Sequence, residues 1–403
     1  MKQPVKMLTG FHLLILLAVS LSACSTSLQT LPTLTLTQAP ASTPISPTVT
    51  KQVTFPSATA TATALPPTAT LMRPTPTATP LAFVPQPVTV INPSNAANLE
   101  VLAELPAIGV SVAAFTSDEH WLATGIFADG AVKVWNFFSG QVAYEIPPAP
   151  DTRILSNLAY SPDGSRLASS SLGWYSNTSR FAIWDASNGA LIKSFEGCLG
   201  AVSPDWQTIA LTRQEQPEGA QLTIIDAGDF GEISSIPARS DIYEISFSPD
   251  GTTIASKMYQ VIQDLFTFWD LEKGIEERTL YDWQNFSFSP DGRFIGAILD
   301  TGKGDVGSLK VFDAHSWKGI KEMNIEANGL WFTTPEFSPD GGLLAASTPD
   351  GVLIWETDTW KLLASLPVYQ PAGAAFSPAG HYLLTFTQKG APQIWGVVAS
   401  SSN

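Results

Sequence analysis

Histidine is scarce in this sequence, and the short motifs of common catalytic sites are missing from it. There are four histidines in 403 residues, and no Gly-x-Ser-x-Gly, P-loop or Cys-x-x-Cys pattern occurs. These absences argue against acid–base catalysis by histidine and against a nucleotide or quinone site. We therefore expect no catalytic residues and no cofactor.

Acidic residues are absent from the first 99 positions. The first is Glu100, and all 36 Asp and Glu lie in residues 100–403, together with 17 of the 21 Lys and Arg, which gives this part a net charge of −19. A domain of this charge is repelled by phosphate backbones and anionic headgroups. We therefore predict no nucleic-acid partner, and we interpret the charge as serving solubility.

The N-terminus has the layout of an export signal. Lys2 and Lys6 precede an apolar run over residues 11–21, which is too short to span a bilayer as a helix. The run ends in Leu-Ser-Ala-Cys at 21–24, which resembles the lipobox of bacterial lipoproteins. The resemblance implies cleavage after residue 23 and a lipid on Cys24. Stable anchoring needs more than one acyl chain, and the lipid of such proteins supplies this. An ordinary signal peptide with a chance cysteine is the alternative.

A linker of biased composition follows the signal. It is rich in Thr, Pro, Ala and Ser, carries only Lys51 and Arg73 as charges, and lacks helical or strand periodicity. Frequent prolines favour polyproline II, a semi-rigid spacer of up to about 3.1 Å per residue. We therefore predict a signal peptide (1–23), a lipid-anchored linker (24–87) and a folded domain (88–399) held on the extracytoplasmic side of a membrane in the bacterial cell envelope.

Only one other cysteine, Cys198, is present. With Cys24 lipidated, Cys198 has no partner for a disulfide, so the exported domain must rely on a large hydrophobic core. We interpret Cys198 as a small buried thiol.

One turn sequence recurs along the folded domain. Phe-Ser-Pro-Asp-Gly stands at 247–251, 288–292 and 337–341, and Tyr-Ser-Pro-Asp-Gly at 160–164. Pro presets φ for a type I turn, Ser and Asp suit its neighbours, and Gly supplies a left-handed residue, so we predict a hairpin turn rather than a calcium loop. The residue before each turn, here called the anchor, recurs at spacings of 45, 42, 45, 41, 49 and 39, in Phe115, Tyr160, Val202, Phe247, Phe288, Phe337 and Phe376.

Each repeat has room for four strands, and the third often ends in Trp followed by an acidic residue, as at 182–185, 267–270 and 353–356. This pattern resembles the WD-repeat family over residues 97–397. The resemblance implies an all-β fold, a seven-bladed β-propeller of four-stranded antiparallel blades. The last repeat lacks its fourth strand, and residues 98–105 resemble the fourth strand at 360–367. An N-terminal strand is therefore expected to complete the last blade and remove the open sheet edge.

The repeats also depart from the family pattern. Its Gly-His pair is missing from every repeat, and the Gly of the turn is replaced by Glu119 in the first repeat and Trp206 in the third, while the seventh reads Ser-Pro-Ala-Gly. These departures leave six or eight blades as alternatives to seven. The resemblance places His120, His315 and His381 on the rim that carries these turns, here called the turn face.

The resemblance also implies that first strands line a central channel with alternate side chains. The residue before each anchor then faces the axis: Ala114, Ala159, Ala201, Ser246, Ser287, Glu336 and Ala375. All of them except Glu336 are small. The positions two residues further back add Asn157, Glu244 and Asn285, which together with Glu336 place four oxygen-bearing side chains on the axis. Hard cations use such ligands, and metal-dependent propellers of the lactonase type are similar. A hydrated polar channel is the alternative that we favour, so we assign no metal.

Aromatic residues gather on the opposite rim, the loop face, where the variable connections lie: Trp174, Tyr175, Tyr243, Tyr259, Trp283, Trp331 and Tyr369. Exposed Trp and Tyr are typical interface anchors, and loops on a rigid scaffold commonly bind ligands. We predict that at least three reach the surface, with packing between blades as the alternative. The tryptophans that end third strands are expected in the core: Trp135, Trp184, Trp269, Trp355 and Trp395.

These observations predict a monomeric, membrane-tethered and non-enzymatic scaffold that recognises a protein, peptide or glycan on its loop face. Two alternatives stay open. One is a divalent-metal-dependent hydrolase that uses the channel Asn and Glu residues, and the other is a subunit of an envelope-assembly complex.

Overall fold

Strands dominate the computed structural model of this chain. It describes residues 83–85, 88–126, 130–148, 152–173, 178–215, 219–238, 242–259, 264–281, 283–300, 306–326, 334–348, 351–387 and 389–399. The predicted signal, Cys24 and most of the linker lie outside the described residues. Within the described part, no helix has both the length and the apolar character needed to cross a membrane.

The strands form seven antiparallel sheets, the blades, each starting with the strand nearest the axis. Blade 1 contains β3 (Val110–Phe115), β4 (Trp121–Ile126), β5 (Val132–Asn136) and β6 (Gln141–Ile146). Blade 2 contains β7 (Thr152–Tyr160), β8 (Arg166–Gly173), β9 (Arg180–Asp185) and β10 (Leu191–Glu196). Blade 3 contains β11 (Cys198–Val202), β12 (Thr208–Glu215), β13 (Gly219–Asp226) and β14 (Glu232–Pro237). Blade 4 contains β15 (Ile242–Phe247), β16 (Thr253–Tyr259), β17 (Asp264–Asp270) and β18 (Ile275–Tyr281).

The remaining blades repeat this order. Blade 5 contains β19 (Trp283–Phe288), β20 (Phe294–Asp300), β21 (Val306–Asp313) and β22 (Gly319–Glu326). Blade 6 contains β23 (Glu336–Phe337), β24 (Leu343–Thr348), β25 (Gly351–Glu356) and β26 (Leu362–Leu366). Blade 7 contains β27 (Pro371–Phe376), β28 (Leu383–Thr387) and β29 (Gln393–Val398), completed by β1 (Val88–Thr89) and β2 (Glu100–Glu104). The prediction of seven four-stranded blades is confirmed.

The hydrophobic core is divided among the junctions between blades. Seven clusters of buried apolar side chains are present, and each joins two neighbouring blades, so that every junction of the ring has one. Cys198, 1% exposed, lies in the cluster between blades 2 and 3, which confirms the buried thiol. Because each blade buries its faces only against its neighbours, the stability of the domain depends on a closed ring.

The N-terminal segment closes the ring at blade 7, as predicted. Strand β2 pairs with β29, with Glu100 opposite Gly396, and β1 occupies the same edge further along, with Val88 opposite Val398. The two strands run in the same direction and are separated by residues 90–99, which include a 3-10 helix (Ala96–Asn98). Ile91 and Ala96 are buried between blades 6 and 7, so the interruption adds packing to the closure.

The recurrent turns share one hydrogen-bond pattern. In six blades the hydroxyl of the first turn residue donates to the carboxylate of the turn Asp at 2.5–2.6 Å, in the pairs Thr116–Asp118, Ser161–Asp163, Ser203–Asp205, Ser248–Asp250, Ser289–Asp291 and Ser338–Asp340. That hydroxyl also accepts a backbone N–H five residues later, for example Arg166 on Ser161 at 2.9 Å. The hydroxyl hydrogen bond lowers the pKa of several of these carboxyls, that of Asp163 to about 2. The pentapeptide therefore builds a rigid hairpin, as predicted.

Two departures from the turn sequence compensate for each other across the ring closure. Blade 7 has Ala379 where the other turns have Asp, and blade 1 has Glu119 in the left-handed position (φ 58°). The buried Glu119 carboxylate accepts the N–H of Ala379 at 3.1 Å and lies 2.8 Å from Nδ1 of His381. A carboxylate of blade 1 thus bonds to the blade 7 turn, through contacts that differ from those of the turn Asp in the other blades.

Third-strand tryptophans bond to the second strand of their own blade. The indole N–H donates to a hydroxyl at 2.8–2.9 Å in the pairs Trp135–Thr124, Trp184–Ser169, Trp269–Ser256 and Trp395–Thr385. Four of the five tryptophans expected in the core are at most 6% exposed, namely Trp135, Trp269, Trp355 and Trp395. The fifth, Trp184, is half-buried. These bonds fix the third strand on the second, since a buried indole needs an acceptor.

The chain reaches the propeller from the turn face. Phe83 donates its N–H to the carbonyl of Phe138 at 2.7 Å, and Val84 is fully buried beside Phe137. These contacts lie at the β5–β6 turn, on the same rim as the pentapeptide turns. From there β1 and β2 run toward the loop face.

We expect Glu119→Ala to lower the free energy of unfolding by about 1–3 kcal/mol, because the Ala379 N–H and the His381 ring lose a buried acceptor. Urea unfolding measures this difference. The matched variant is Glu119→Gly combined with Ala379→Asp, which gives both turns the common sequence and should recover most of the loss. If the double variant is no more stable than Glu119→Gly alone, the compensation across the closure is wrong.

Candidate binding face and channel cavity

The loop face presents exposed apolar side chains at connections between blades. Tyr369, 80% exposed, lies between blades 6 and 7, and Ile108, 68% exposed, lies between blade 7 and blade 1. Tyr281, 53% exposed, ends blade 4 on the same rim. Ile108 and Tyr281 were not among the predicted residues, although the position of Ile108 between Pro106 and Gly109 is a turn signal that could have exposed it. The two residues beside blade 7 therefore form a candidate contact surface.

The predicted aromatic residues do not share one environment. Tyr369 is exposed and Tyr243 is half-buried. Trp174, Tyr175 and Trp331 lie outside the described residues, as does the side chain of Tyr259. For these four, surface exposure stays a prediction.

Trp283 corrects the prediction of an exposed anchor. It is 3% exposed and packs between blades 4 and 5, stacked on Phe312 with ring centroids 5.1 Å apart and in contact with Phe266 and Phe268. The first residue of a strand can turn either to the rim or into the junction, and here the neighbouring rings bury it. Trp283 is a core residue and offers no binding surface.

First strands carry a bulge near the loop face in five blades. The register shifts four residues before the anchor, so that one extra residue stands opposite the second strand, at Ser111, Ser156, Tyr243, Gln284 and Ala372. Bulges redirect side chains and are common beside functional sites. The regular alternation assumed from the sequence therefore ends at this level of the channel.

A cavity of about 140 Å³ lies where the first strands of blades 2, 3 and 4 approach one another. Its lining combines polar groups with a few apolar side chains: Ser156, Asn157, Ser170, Leu199, Gly200, Tyr243, Glu244, Ile245 and Ser246. The bulged residues Ser156 and Tyr243 are both in this set. Ser156 donates its hydroxyl to the carbonyl of Ser170 at 3.0 Å, and the Ser170 hydroxyl accepts the N–H of Gly200 at 3.1 Å, so blade 2 is tied to blade 3 beside the cavity.

Glu244 is the carboxylate of this cavity. Its side chain is exposed to water at the cavity. Desolvation by the surrounding protein raises the pKa of the carboxyl, and the positive charge of Lys257 on β16 acts in the opposite direction.

Glu336 is the one large residue among the positions that precede the anchors. Burial raises the pKa of its carboxyl to about 7, and a hydrogen bond from the backbone N–H of Phe376, in blade 7, acts in the opposite direction. Glu336 thus fills the space beside blade 7 where the other blades have Ala or Ser.

The four oxygen-bearing residues considered as metal ligands are only partly brought together. Asn157 and Glu244 line one cavity, whereas Asn285 and Glu336 are not in its lining. Among the described residues, no three His, Cys, Asp or Glu side chains are grouped closely enough to hold a metal ion.

Comparisons with known proteins agree with the fold. Residues 101–136, which span β2 to β5, match the family described as WD domain, G-beta repeat. The chain is also similar to the crystal structure of the Cps50 (Swd1) β-propeller domain from Myceliophteria thermophila, with 15% identity and a TM-score of 0.57, covering 74% of this chain and 100% of that chain. At this identity the likeness shows the fold alone. No curated protein matches the chain.

We expect Glu336→Gln to stabilise the domain at neutral pH. Between pH 4.5 and 7 the unfolded carboxyl ionises while the folded one stays protonated, so the wild type loses stability as pH rises through this window. At 1.36 kcal/mol per pKa unit the gain is about 1–3 kcal/mol at pH 8 and vanishes near pH 4. Urea unfolding at several pH values measures it, with Glu232→Gln on an exposed outer strand as the control. A gap that does not change with pH would contradict the buried titration.

Proposed function

We propose that this chain is a non-enzymatic binding module of the bacterial cell envelope, tethered by a lipid on Cys24 and recognising a protein, peptide or glycan partner on its loop face. WD-repeat propellers serve mostly as interaction scaffolds, although a fold alone does not decide a function. The observation that carries the proposal is the contrast between the two rims.

On the turn face, hydrogen-bonded hairpins recur, and Phe83 and Val84 pack against blade 1 there. The loop face carries Tyr369, Ile108 and the cavity that Tyr243 lines. These exposed side chains and the cavity favour the loop face as the surface that a partner contacts.

Of the four ligands that the metal-dependent hydrolase would use, Asn157 and Glu244 line the cavity, whereas Asn285 and Glu336 are not in its lining. The envelope-assembly subunit is a special case of the binding module, in which the partner is a membrane complex.

We expect Tyr369→Ala combined with Ile108→Ser to reduce recovery of partners from envelope extract by about tenfold, because exposed aromatic and aliphatic anchors contribute most of the energy at such contacts. The full-length chain serves as bait. Ile233→Ser, which removes a 57% exposed isoleucine from the outer strand of blade 3, is the matched control. Equal recovery of every partner by both variants and the wild type would remove the loop face from the proposal.

The tether has its own test. We expect Cys24→Ala to move the protein from the membrane fraction to the soluble fraction and to abolish incorporation of labelled fatty acid, because a stable anchor needs the acyl chains on that residue. Cys198→Ala should leave both readouts unchanged. Fatty-acid labelling that persists in Cys24→Ala would show that the lipid is elsewhere.

A further inference from the structure

The cavity at the first strands of blades 2 to 4 holds a carboxylate with no bonding partner. Within the described part of the chain, no hydrogen-bond donor and no cation lies within bonding distance of the Glu244 carboxylate. The charge of Lys257 acts on it only from further away. Glu244 therefore has unused capacity to accept hydrogen bonds from a group that enters the cavity.

The size and lining of the cavity limit what can enter. Its volume is about 140 Å³, close to the roughly 150 Å³ engineered cavity that accommodates benzene. This is room for one side chain or one small ring. Leu199 and Ile245 supply apolar wall, while Asn157, Ser246 and Tyr243 surround the carboxylate with polar and aromatic groups. Such a lining suits an aliphatic stem with a polar head.

The charge of the site selects a cation. Glu244 is the one carboxylate in the lining, and the surrounding domain is strongly acidic. A divalent metal takes six to eight oxygen ligands or an octahedral set, which this lining does not group around one point. An ammonium or guanidinium head needs only one carboxylate with neighbouring acceptors, and the face of an aromatic ring adds to its binding.

We propose that this cavity is a binding subsite for one organic cation of side-chain size, a lysine ammonium or an arginine guanidinium contributed by the partner. The choice of a partner side chain rests on the proposed function, whereas cation binding itself does not. The bulges at Ser156 and Tyr243 shape the cavity by turning residues of two first strands toward it. Glu244 anchors the charged head, and Leu199 and Ile245 contact the stem.

Small probes test the subsite without a partner. Ligand-observed NMR and calorimetry on the full chain would compare n-butylammonium, n-butylguanidinium, neutral n-butanol and Ca²⁺. We expect one or both organic cations to bind with a Kd of about 1 mM, as a single-site fragment would, and the stronger of the two identifies the lysine or arginine source. Equal binding of n-butanol, or Glu244-dependent binding of Ca²⁺, would overturn the proposal.

The variants separate the carboxylate from general effects. We expect Glu244→Gln to weaken cation binding at least about tenfold with the fold retained, as checked by thermal unfolding. Glu232→Gln, which removes the same charge from the outer strand of blade 3, should bind like the wild type. Unchanged binding in Glu244→Gln would overturn the subsite.

The two proposals can fail separately. If no cation binds but the loop-face variant still loses its partner, the subsite is wrong and the binding module stands. If cations bind through Glu244 but Glu244→Gln recovers every partner normally, the cavity binds cations and the assignment to a partner side chain is wrong.

Discussion

A blade of four strands cannot bury both of its faces alone, and this constraint governs the rest of the structure. Every hydrophobic cluster of the domain lies between two blades, so each blade depends on both neighbours. An open row of blades would leave two apolar faces in water. The ring must therefore close, and the closing strand has to come from the other end of the chain.

Two departures from the turn sequence, in blades 1 and 7, meet at the closure. The seventh turn lacks its Asp, and the first has Glu119 in a backbone conformation that favours glycine. Each change is unfavourable by itself. Together they place a buried carboxylate across the junction, where it bonds to residues 260 and 262 positions away. The two ends of the repeat array are thereby joined by side chains as well as by β1 and β2.

The same regularity determines where a ligand can bind. Middle strands are buried on both faces, and the turn face is occupied by hairpins and by the incoming chain. The loop face carries the most exposed large apolar side chains, Tyr369 and Ile108, and it adjoins the mouth of the channel. There, bulges in the first strands break the register and allow Tyr243, Ser156 and Glu244 to meet around one cavity.

The sequence by itself determined the local and periodic features: the hairpin turns and the room for four strands in each repeat, whereas the number of blades stayed open between six and eight and the closing strand came from the resemblance to the WD-repeat family. The turns and the strands follow from residues a few positions apart, repeated at a nearly constant spacing, so no knowledge of distant contacts is needed. The oxygen-bearing channel residues Asn157 and Glu244 could be predicted for the same reason.

Tertiary structure alone decided the direction of Trp283, which the rings of two blades enclose, and the redirection of Tyr243 and Ser156 by bulges. It also decided the union of Glu119 with His381. Each of these features depends on which blades become neighbours and on how closely their strands approach the axis. A pattern of adjacent residues encodes none of them.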